Sequence, residues 1–307
     1  MPLLVAVVPL TTAAQSTRAA LPEPSPGSAA ATSTPTPTAS TPTTTPTTTP
    51  TTTPTEAGPT SSDPDPTTAD PGPTPDPAPA PAAGSEWTPL IDQGFDTPAA
   101  LGEFADLYPG WADYDGYHDT TGPGRYDSSR VVTVSDGVLT EDLHSEDGEA
   151  LVVSITPVPH VQTYGRYEVR FRADVVPGYH FSWLLWPADN DWTDGEIDFP
   201  ETGLDAGDWI MGFSHQIGPT PSVNQWAQRF EGSPQDWHTA VIEWRPDSLT
   251  FTLDGRSRTT TDPLAIPSVP MYWSMQSEAE DPDASTSGGV QIDYVKAWAH
   301  TPEAAAG

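Results

Sequence analysis

The stretch DGEIDFPE, residues 194–201, places three carboxylates, Glu196, Asp198 and Glu201, among apolar neighbours. Side chains alternate along a β-strand, so Glu196 and Asp198 are expected on one face and Glu201 on the opposite face. A β-bulge, which inserts one residue, would bring Glu201 back beside the other two acids. Pro200 fits a bulge because proline cannot donate a hydrogen bond to a neighbouring strand. The stretch therefore predicts a fold built on β-sheet, with a bulged strand that presents three acids on one surface.

Acids grouped in this way repel one another, which costs energy unless the site uses them. Glycoside hydrolysis needs two carboxyl groups: one attacks the anomeric carbon, and the other, kept protonated, gives its proton to the leaving oxygen. The middle acid, Asp198, could hydrogen-bond to one of its partners and help to set which of the three keeps a proton. The alternatives are a solvated cluster of acids at a strand end or a metal site.

Strand-like patterns separated by turn signals continue through the second part of the chain. In residues 164–173 apolar and charged side chains alternate, and residues 180–186 form a nearly continuous apolar run, as expected for a strand buried between two sheets. The pair Asp254-Gly255 is typical of a tight turn between antiparallel strands. No segment has a convincing helical pattern. The sequence therefore predicts an all-β protein with a β-sandwich architecture.

The composition divides the chain into four parts. All aromatic residues, 11 Trp, 9 Tyr and 8 Phe, lie at or after Trp87, so the folded domain is expected at residues 87–301, with a tail at 302–307. Residues 22–84 are mainly Pro, Thr, Ala and Ser and cannot bury a core, which predicts a disordered, extended linker. Residues 1–21 contain a short apolar run with no Lys or Arg before it, and we interpret them as a truncated signal peptide.

The chain carries 43 acidic and 11 basic residues, which give a formal net charge of −32. This charge argues against electrostatic binding of nucleic acid or anionic membranes, and it suits a neutral partner such as a polysaccharide. No stretch of 18 apolar residues is present, so no membrane insertion is expected. The chain has no cysteine, which excludes disulfides and cysteine-ligated metals. We expect a monomer that needs no cofactor for its chemistry.

Residues 196–201, EIDFPE, resemble the E-[I/L]-D-x-x-E signature of glycoside hydrolase family 16. Four further segments resemble motifs of the same family and occur in the family's order: residues 164–170, 237–244, 253–255 and 292–295. The resemblance implies a concanavalin A-like jelly roll in which a concave sheet forms the substrate cleft.

Membership of this family implies a secreted, retaining endo-glycosidase, extracellular or associated with the cell surface, that hydrolyses a β-linked polysaccharide. The substrate would be a β-1,3- or β-1,3-1,4-glucan, or a related galactan. By their match to the signature, Glu196 is the expected nucleophile, Glu201 the general acid/base, and Asp198 the residue that holds Glu196 in position. A non-catalytic carbohydrate-binding domain and a transglycosylase on the same fold remain alternatives.

Further candidates are expected to line the cleft. His215 matches a histidine that follows the catalytic strand in many family members. Substrate binding is also expected for Trp186, Trp192, Trp209, Trp273 and Gln276. Asp293 is a candidate ligand for a structural Ca²⁺ on the convex side, as in parts of the family, because oxygen ligands are plentiful. Two departures from the family pattern, Leu184 and residues 271–276, would reshape the cleft.

Overall fold

The structure, a computed structural model, describes residues 86–157 and 161–301. The predicted signal peptide (1–21), linker (22–84) and tail (302–307) lie outside the described residues. The strands within those residues are β1 (Trp87–Gly94), β2 (Trp111–Asp113), β3 (Gly124–Tyr126), β4 (Val132–Ser135), β5 (Val138–Glu146), β6 (Glu149–Val152), β7 (Ser154–Pro157), β8 (Gly165–Ala173), β9 (Tyr179–Pro187), β10 (Ile197–Gly203), β11 (Trp209–His215), β12 (Asn224–Glu231), β13 (His238–Trp244), β14 (Leu249–Leu253), β15 (Arg256–Thr260), β16 (Met271–Ala279) and β17 (Gly288–His300). The helical segments described are α1 (Phe104–Leu107), α2 (Ser128–Val131) and the 3₁₀ turns Trp192–Asp194 and Pro263–Ala265.

The strands form two sheets. In the seven-stranded sheet the order is β12-β11-β10-β9-β16-β7-β2. In the ten-stranded sheet, eight strands follow the order β15-β14-β13-β8-β17-β5-β6-β3, while β1 pairs with β17 and β4 pairs with β5. The predicted all-β class is thus confirmed. Within residues 86–157 and 161–301, no helix is long and apolar enough to cross a membrane.

The hydrophobic core lies between the two sheets. In β8, Tyr167, Val169 and Phe171 belong to this core, as the alternating pattern predicted. From the facing sheet, Trp183 of β9 is fully buried, and its ring packs edge-on against Phe171 with centroids 5.2 Å apart. Full burial of a large apolar side chain stabilises a fold by roughly 1.5–3 kcal/mol, so contacts of this kind hold the two sheets together.

The hairpin between β14 and β15 turns at Asp254 and Gly255. Leu253 pairs with Arg256, and the two turn residues have positive φ angles of 48° and 76°. Two consecutive positive φ angles mark a type I′ turn, whose twist matches that of the flanking strands. The Asp-Gly pair therefore fixes the register of this hairpin, as the sequence predicted.

The prediction that β9 is a strand buried between two sheets was wrong for one of its faces. Its odd-numbered residues, such as Phe181, belong to the core. Its even-numbered residues, which include His180 and Ser182, point away from the core, to what we call the outer face of the seven-stranded sheet. Leu184 and Trp186 are large and apolar at even positions, and this hid the alternation in the sequence.

Candidate active site

Strand β10 lies between β9 and β11 and carries a β-bulge. Asp198 pairs with Leu184 of β9, and Glu201 pairs with Ser182. Strand β10 thus advances three residues where β9 advances two, and its pairing with β11 shifts at the same place. The bulge that the acid spacing and Pro200 predicted is therefore confirmed. The peptide bond that precedes Pro200 is cis.

The bulge brings the three acids together on the outer face. The Ser182 hydroxyl lies 3.0 Å from Glu201 Oε2 and 3.4 Å from Asp198 Oδ1. His215 Nε2 lies 3.1 Å from Asp198 Oδ2 and 3.8 Å from Glu196 Oε2. Because Ser182 links the second and third acids and His215 links the first and second, the three carboxylates form one cluster.

His215 faces a backbone carbonyl oxygen with one ring nitrogen and the Asp198 carboxyl group with the other. His215 Nδ1 is 3.0 Å from the carbonyl oxygen of Pro221, and a carbonyl oxygen only accepts, so Nδ1 carries a hydrogen. The opposite ring nitrogen, Nε2, then faces the Asp198 carboxyl group at 3.1 Å. Two acceptors at that distance would repel, so either the imidazole or the carboxyl group is protonated there. This proton reduces the repulsion between like charges in the cluster.

The three acids differ in burial. Glu196 and Asp198 are 0% exposed, whereas Glu201 keeps partial contact with solvent. Burial disfavours a charged carboxylate, and neighbouring carboxylates disfavour it further. Such an arrangement can keep one carboxyl group protonated while another is ionised, as acid/base chemistry with two carboxyl groups requires.

Glycine is required at position 195, just before the first acid. Gly195 has a φ angle of 97°, which L-residues rarely adopt. A Cβ at this position would lie 2.8 Å from the Pro267 side chain. The preceding 3₁₀ turn is capped by Asp191, whose carboxylate accepts a hydrogen bond from Thr193 N at 3.0 Å. This turn and Gly195 together set where β10 starts and hence where Glu196 lies.

Three of the predicted tryptophans lie on or beside the outer face. Trp192 is half-buried, and its ring centroid lies 5.7 Å from that of His215. Trp209, the first residue of β11, is also half-buried. Trp186 is buried, and its Nε1 donates to Asn190 Oδ1 at 3.0 Å. Trp192 and Trp209 keep part of their ring surface exposed, and contact with sugar stays a prediction for all three.

The fourth predicted tryptophan, Trp273, is in the core. It packs edge-on against Tyr167 of the facing sheet, with ring centroids 5.3 Å apart. The prediction that Trp273 binds substrate was therefore wrong. Positions 273 and 276 of one strand have opposite parity, so their side chains point to opposite faces and cannot both line a cleft. Gln276 lies on the outer face, and Tyr272 takes the outer position next to Trp273.

Gln276 and Tyr272 bring β16 into the site. Gln276 is buried and pairs in register with Ser182, beside the acids. The Tyr272 hydroxyl accepts a hydrogen bond from the Tyr114 hydroxyl at 2.9 Å. Burial first, then Tyr114 and the negative charge of Glu196, raise the pKa of Tyr272. The phenol therefore stays neutral and lies in the field of the first acid.

Sequence reasoning missed Ser182 and Tyr272. Ser182 is a small hydroxyl residue at an even position within a run of large apolar residues, and this signals a polar face of the strand. Tyr272 is selected by alternation, because it shares its parity with Gln276. Both residues can be assigned to the outer face by alternation once one outer-face residue on each strand is known.

Asp293, the candidate calcium ligand, forms an ion pair with an arginine. Its Oδ2 lies 2.6 Å from Arg170 Nη1, so a guanidinium already neutralises the carboxylate. The Arg170 guanidinium also packs 4.4 Å from the ring centroid of Trp237. In the part of the chain that the structure describes, the one grouping of three metal-ligating side chains is Glu196, Asp198 and His215. Calcium prefers six to eight oxygen ligands, and a structural Ca²⁺ at Asp293 stays a prediction.

These features define a β-sandwich in which one sheet presents three acids on the outer face of a bulged strand. The chain belongs to the glycosyl hydrolases family 16, whose family model matches residues 132–296. It is 33% identical over 98 residues to a "Beta-glucanase" of Acetivibrio thermocellus. That match covers 30% of this chain and 28% of the relative's own length.

Solved structures of similar fold carry names from the same group of enzymes. The laminarinase from Rhodothermus marinus matches with a TM-score of 0.58 at 21% identity, over 70% of this chain and 98% of that one. A prokaryotic β-1,3-1,4-glucanase (lichenase) derived from a mouse hindgut metagenome matches with a TM-score of 0.55 at 18% identity, over 69% of this chain and 99% of that one. These similarities confirm the predicted jelly-roll sandwich.

Proposed function

We propose that this protein is a retaining endo-glycosidase that hydrolyses a β-linked glucan. The observation that carries the proposal is the bulge in β10, which groups Glu201 with Asp198 and Glu196 on one face. A surface that only binds carbohydrate has no need of three adjacent acids, because their burial and mutual repulsion cost stability. The family assignment and the β-glucanase relative support the substrate class.

Glu196 is the proposed nucleophile and Glu201 the proposed general acid/base. In the first step a Glu196 oxygen bonds to the anomeric carbon, the bond from that carbon to the glycosidic oxygen breaks, and Glu201 gives its proton to that oxygen. In the second step water attacks the same carbon, its proton passes to Glu201, and the bond to Glu196 breaks. Two inversions at one carbon retain the β configuration.

Asp198 and His215 are proposed to hold the nucleophile ready. His215 Nε2, which faces Asp198, also lies 3.8 Å from Glu196 Oε2. A protonated group near Glu196 favours its ionised form, which is the form that attacks. Ser182 would hold Glu201 through its hydroxyl, and the half-buried rings of Trp192 and Trp209 would serve as platforms for sugar rings.

The test is hydrolysis of a substrate panel by the full chain: β-1,3-glucan, mixed-linkage β-glucan, agar and carrageenan. We expect oligosaccharides from a β-glucan, with the β anomer appearing first in NMR spectra recorded during the reaction. Glu201→Gln should remove this activity, while Glu231→Gln, an exposed acid of β12, should keep it. Binding without cleavage would favour the carbohydrate-binding alternative, redistribution of chain lengths the transglycosylase, and an α anomer first would contradict retention.

We also propose that the protein acts outside the cell or at its surface. A polymeric substrate does not cross a membrane, and the Pro/Thr-rich composition of residues 22–84 is typical of a tether. Immunodetection in the culture medium and in washed, intact cells is the measurement. Protein found exclusively in the soluble cell lysate would contradict this location.

A further inference from the structure

His180 and Glu278 form a buried pair beside the bulge. They face each other in register across β9 and β16, and His180 Nε2 lies 2.8 Å from Glu278 Oε2. On its other side His180 pairs with Gly203 of β10, two residues after Glu201. Gly203 has no side chain, and a Cβ there would meet no atom within 4 Å. Position 203 therefore places no side chain between the imidazole and the neighbouring acid.

Glu278 is surrounded by hydrogen-bond donors. Its Oε1 accepts from Thr120 N at 3.1 Å, from the Gln276 amide at 3.1 Å and from the Tyr126 hydroxyl at 3.3 Å. The Thr120 hydroxyl donates to the same oxygen. Hydrogen-bond donors favour the ionised form of a carboxyl group, because the carboxylate can only accept hydrogen bonds. These donors come from the loop at Thr120, from β3 and from β16, so they also fix the Glu278 side chain next to His180. Glu278 is 2% exposed.

The acids around His180, which include Glu201, favour its protonated form. Burial lowers the pKa of His180, but the hydrogen bond to Glu278 and the charges of three acids outweigh burial and raise it. These acids are Glu278 of β16, Glu201 of β10, and Glu280, which follows β16. Glu280 is largely exposed, and its Oε1 lies 3.7 Å from His180 Nδ1, so solvent screens its contribution. The two inner acids therefore dominate the surroundings of the imidazole.

We propose that His180 is a positioning residue for Glu201, and that Glu278 holds it in that role. The imidazolium favours the ionised form of Glu201, which is the form that takes a proton from water in the second step. The catalytic meaning of this inference rests on the proposed function, whereas the coupling between the two groups does not. Coupling is reciprocal, so any change that His180 causes in the proton affinity of Glu201 is matched by the reverse effect.

The coupling is tested first by NMR titration of the seven histidines in the full chain. The His180 signal is the one that is absent from His180→Gln. In Glu201→Gln the pKa of His180 should fall by about one unit, because a nearby opposite charge shifts a pKa by roughly 1–3 units. Glu231→Gln should leave it unchanged. A His180 pKa that is the same in wild type and Glu201→Gln overturns the proposal.

The effect on catalysis is tested through the pH dependence of kcat/KM on a β-glucan. The alkaline limb of that profile reports loss of the proton from the general acid. Without the imidazolium, the pKa of Glu201 rises, so His180→Gln should move the alkaline limb upward by about one pH unit. The acidic limb, which reports ionisation of the nucleophile, should stay in place.

His238→Gln is the matched control for this profile. His238 lies in β13 of the ten-stranded sheet, with its Nδ1 2.7 Å from Asp254 Oδ2. Burial lowers its pKa, but the hydrogen bond to Asp254 outweighs burial and raises it, as Glu278 does for His180. This variant should move neither limb. If His180→Gln lowers activity or stability but does not move the alkaline limb, the role of His180 is structural and the proposal is wrong.

The two proposals fail in different ways. If the wild-type chain cleaves no glucan but Glu201→Gln still lowers the pKa of His180, the proposed function is wrong and the coupling stands. If the wild-type chain cleaves glucan and the alkaline limb is unmoved in His180→Gln, the hydrolase stands and the positioning role is wrong.

Discussion

Two buried glutamates, one in the core and one on the outer face, show how surroundings decide the charge of a carboxyl group. Glu141 of β5 is fully buried among core residues, and burial raises its pKa to about 8, opposed by the Ser277 hydroxyl. Glu278 is almost as buried, but it accepts hydrogen bonds from three residues and contacts a histidine. Burial with a single donor favours a neutral acid, whereas burial with several donors and a histidine partner favours an anion.

The same difference separates the core from the outer face of the seven-stranded sheet. The core excludes water, and Glu141, which enters it from β5 of the ten-stranded sheet, is neutral near pH 7. The outer face surrounds its acids with hydroxyl, amide and imidazole groups, which can hold charge in place and direct it. Changes on the outer face should therefore alter chemistry more than stability, and changes in the core should do the reverse.

The largest expected effect is on the outer face, where Glu196→Gln removes the proposed nucleophile and keeps its shape. Hydrolysis should fall at least about 1,000-fold, because an amide cannot form the covalent intermediate. The unfolding temperature should hold or rise, because a buried charge is removed. Initial rates on a soluble β-glucan and calorimetry are the measurements. Activity within about tenfold of wild type would exclude Glu196 as the nucleophile.

In the core, Trp273→Ala should destabilise the domain by about 3–5 kcal/mol, because it opens a cavity against Tyr167. Urea unfolding measures this loss. Trp209→Ala is the matched change on the outer face, and there we expect a raised KM with a smaller loss of stability. If Trp273→Ala instead keeps full stability and raises KM, the division between the two faces does not hold.

Glu141 should make stability fall as pH rises. Its pKa of about 8 in the folded protein lies above the ordinary value of 4.5, so the unfolded chain releases this proton first. The stabilisation is complete below about pH 4.5 and is lost between there and about pH 8, which amounts to about 3 kcal/mol by pH 7.

Glu141→Gln should remove this pH dependence, because an amide does not ionise. The measurement is the difference in unfolding free energy between variant and wild type at pH 4, 5.5, 7 and 8. Glu146→Gln, an exposed acid on the same strand, should change this free energy by at most about 1 kcal/mol at each pH. A constant difference for Glu141→Gln over this range would mean that Glu141 is ionised in the core near pH 7.

The smallest effect is expected for Tyr272→Phe on the outer face. The phenol lies in the field of Glu196 and is bound by Tyr114, so its loss removes one polar partner of the site. We expect kcat to fall about tenfold, with a change in unfolding free energy of at most about 1.5 kcal/mol. An unchanged kcat, measured at saturating glucan, would show that Tyr272 only packs.

Much of the site could be predicted because its signals are local. The spacing of Glu196, Asp198 and Glu201, together with Pro200, was enough to predict the bulge, since period-two alternation leaves few other ways to group three acids. Trp273 shows the limit of this reasoning. A tryptophan near the site is equally compatible with the core and with a cleft. Which of the two it enters depends on whether the odd- or the even-numbered residues of its strand face the core.

The sequence by itself determined the all-β class, the hairpin at Asp254 and the bulged strand, because each depends on residues that are neighbours in the chain. Only the tertiary structure decided that Ser182 lies beside Glu201, that Arg170 neutralises Asp293, and that His180 meets Glu278. These pairs join residues far apart in sequence, and their contacts follow from the order and register of strands in the sheets. No local pattern encodes that order, because it is set by how the two sheets pack around one core.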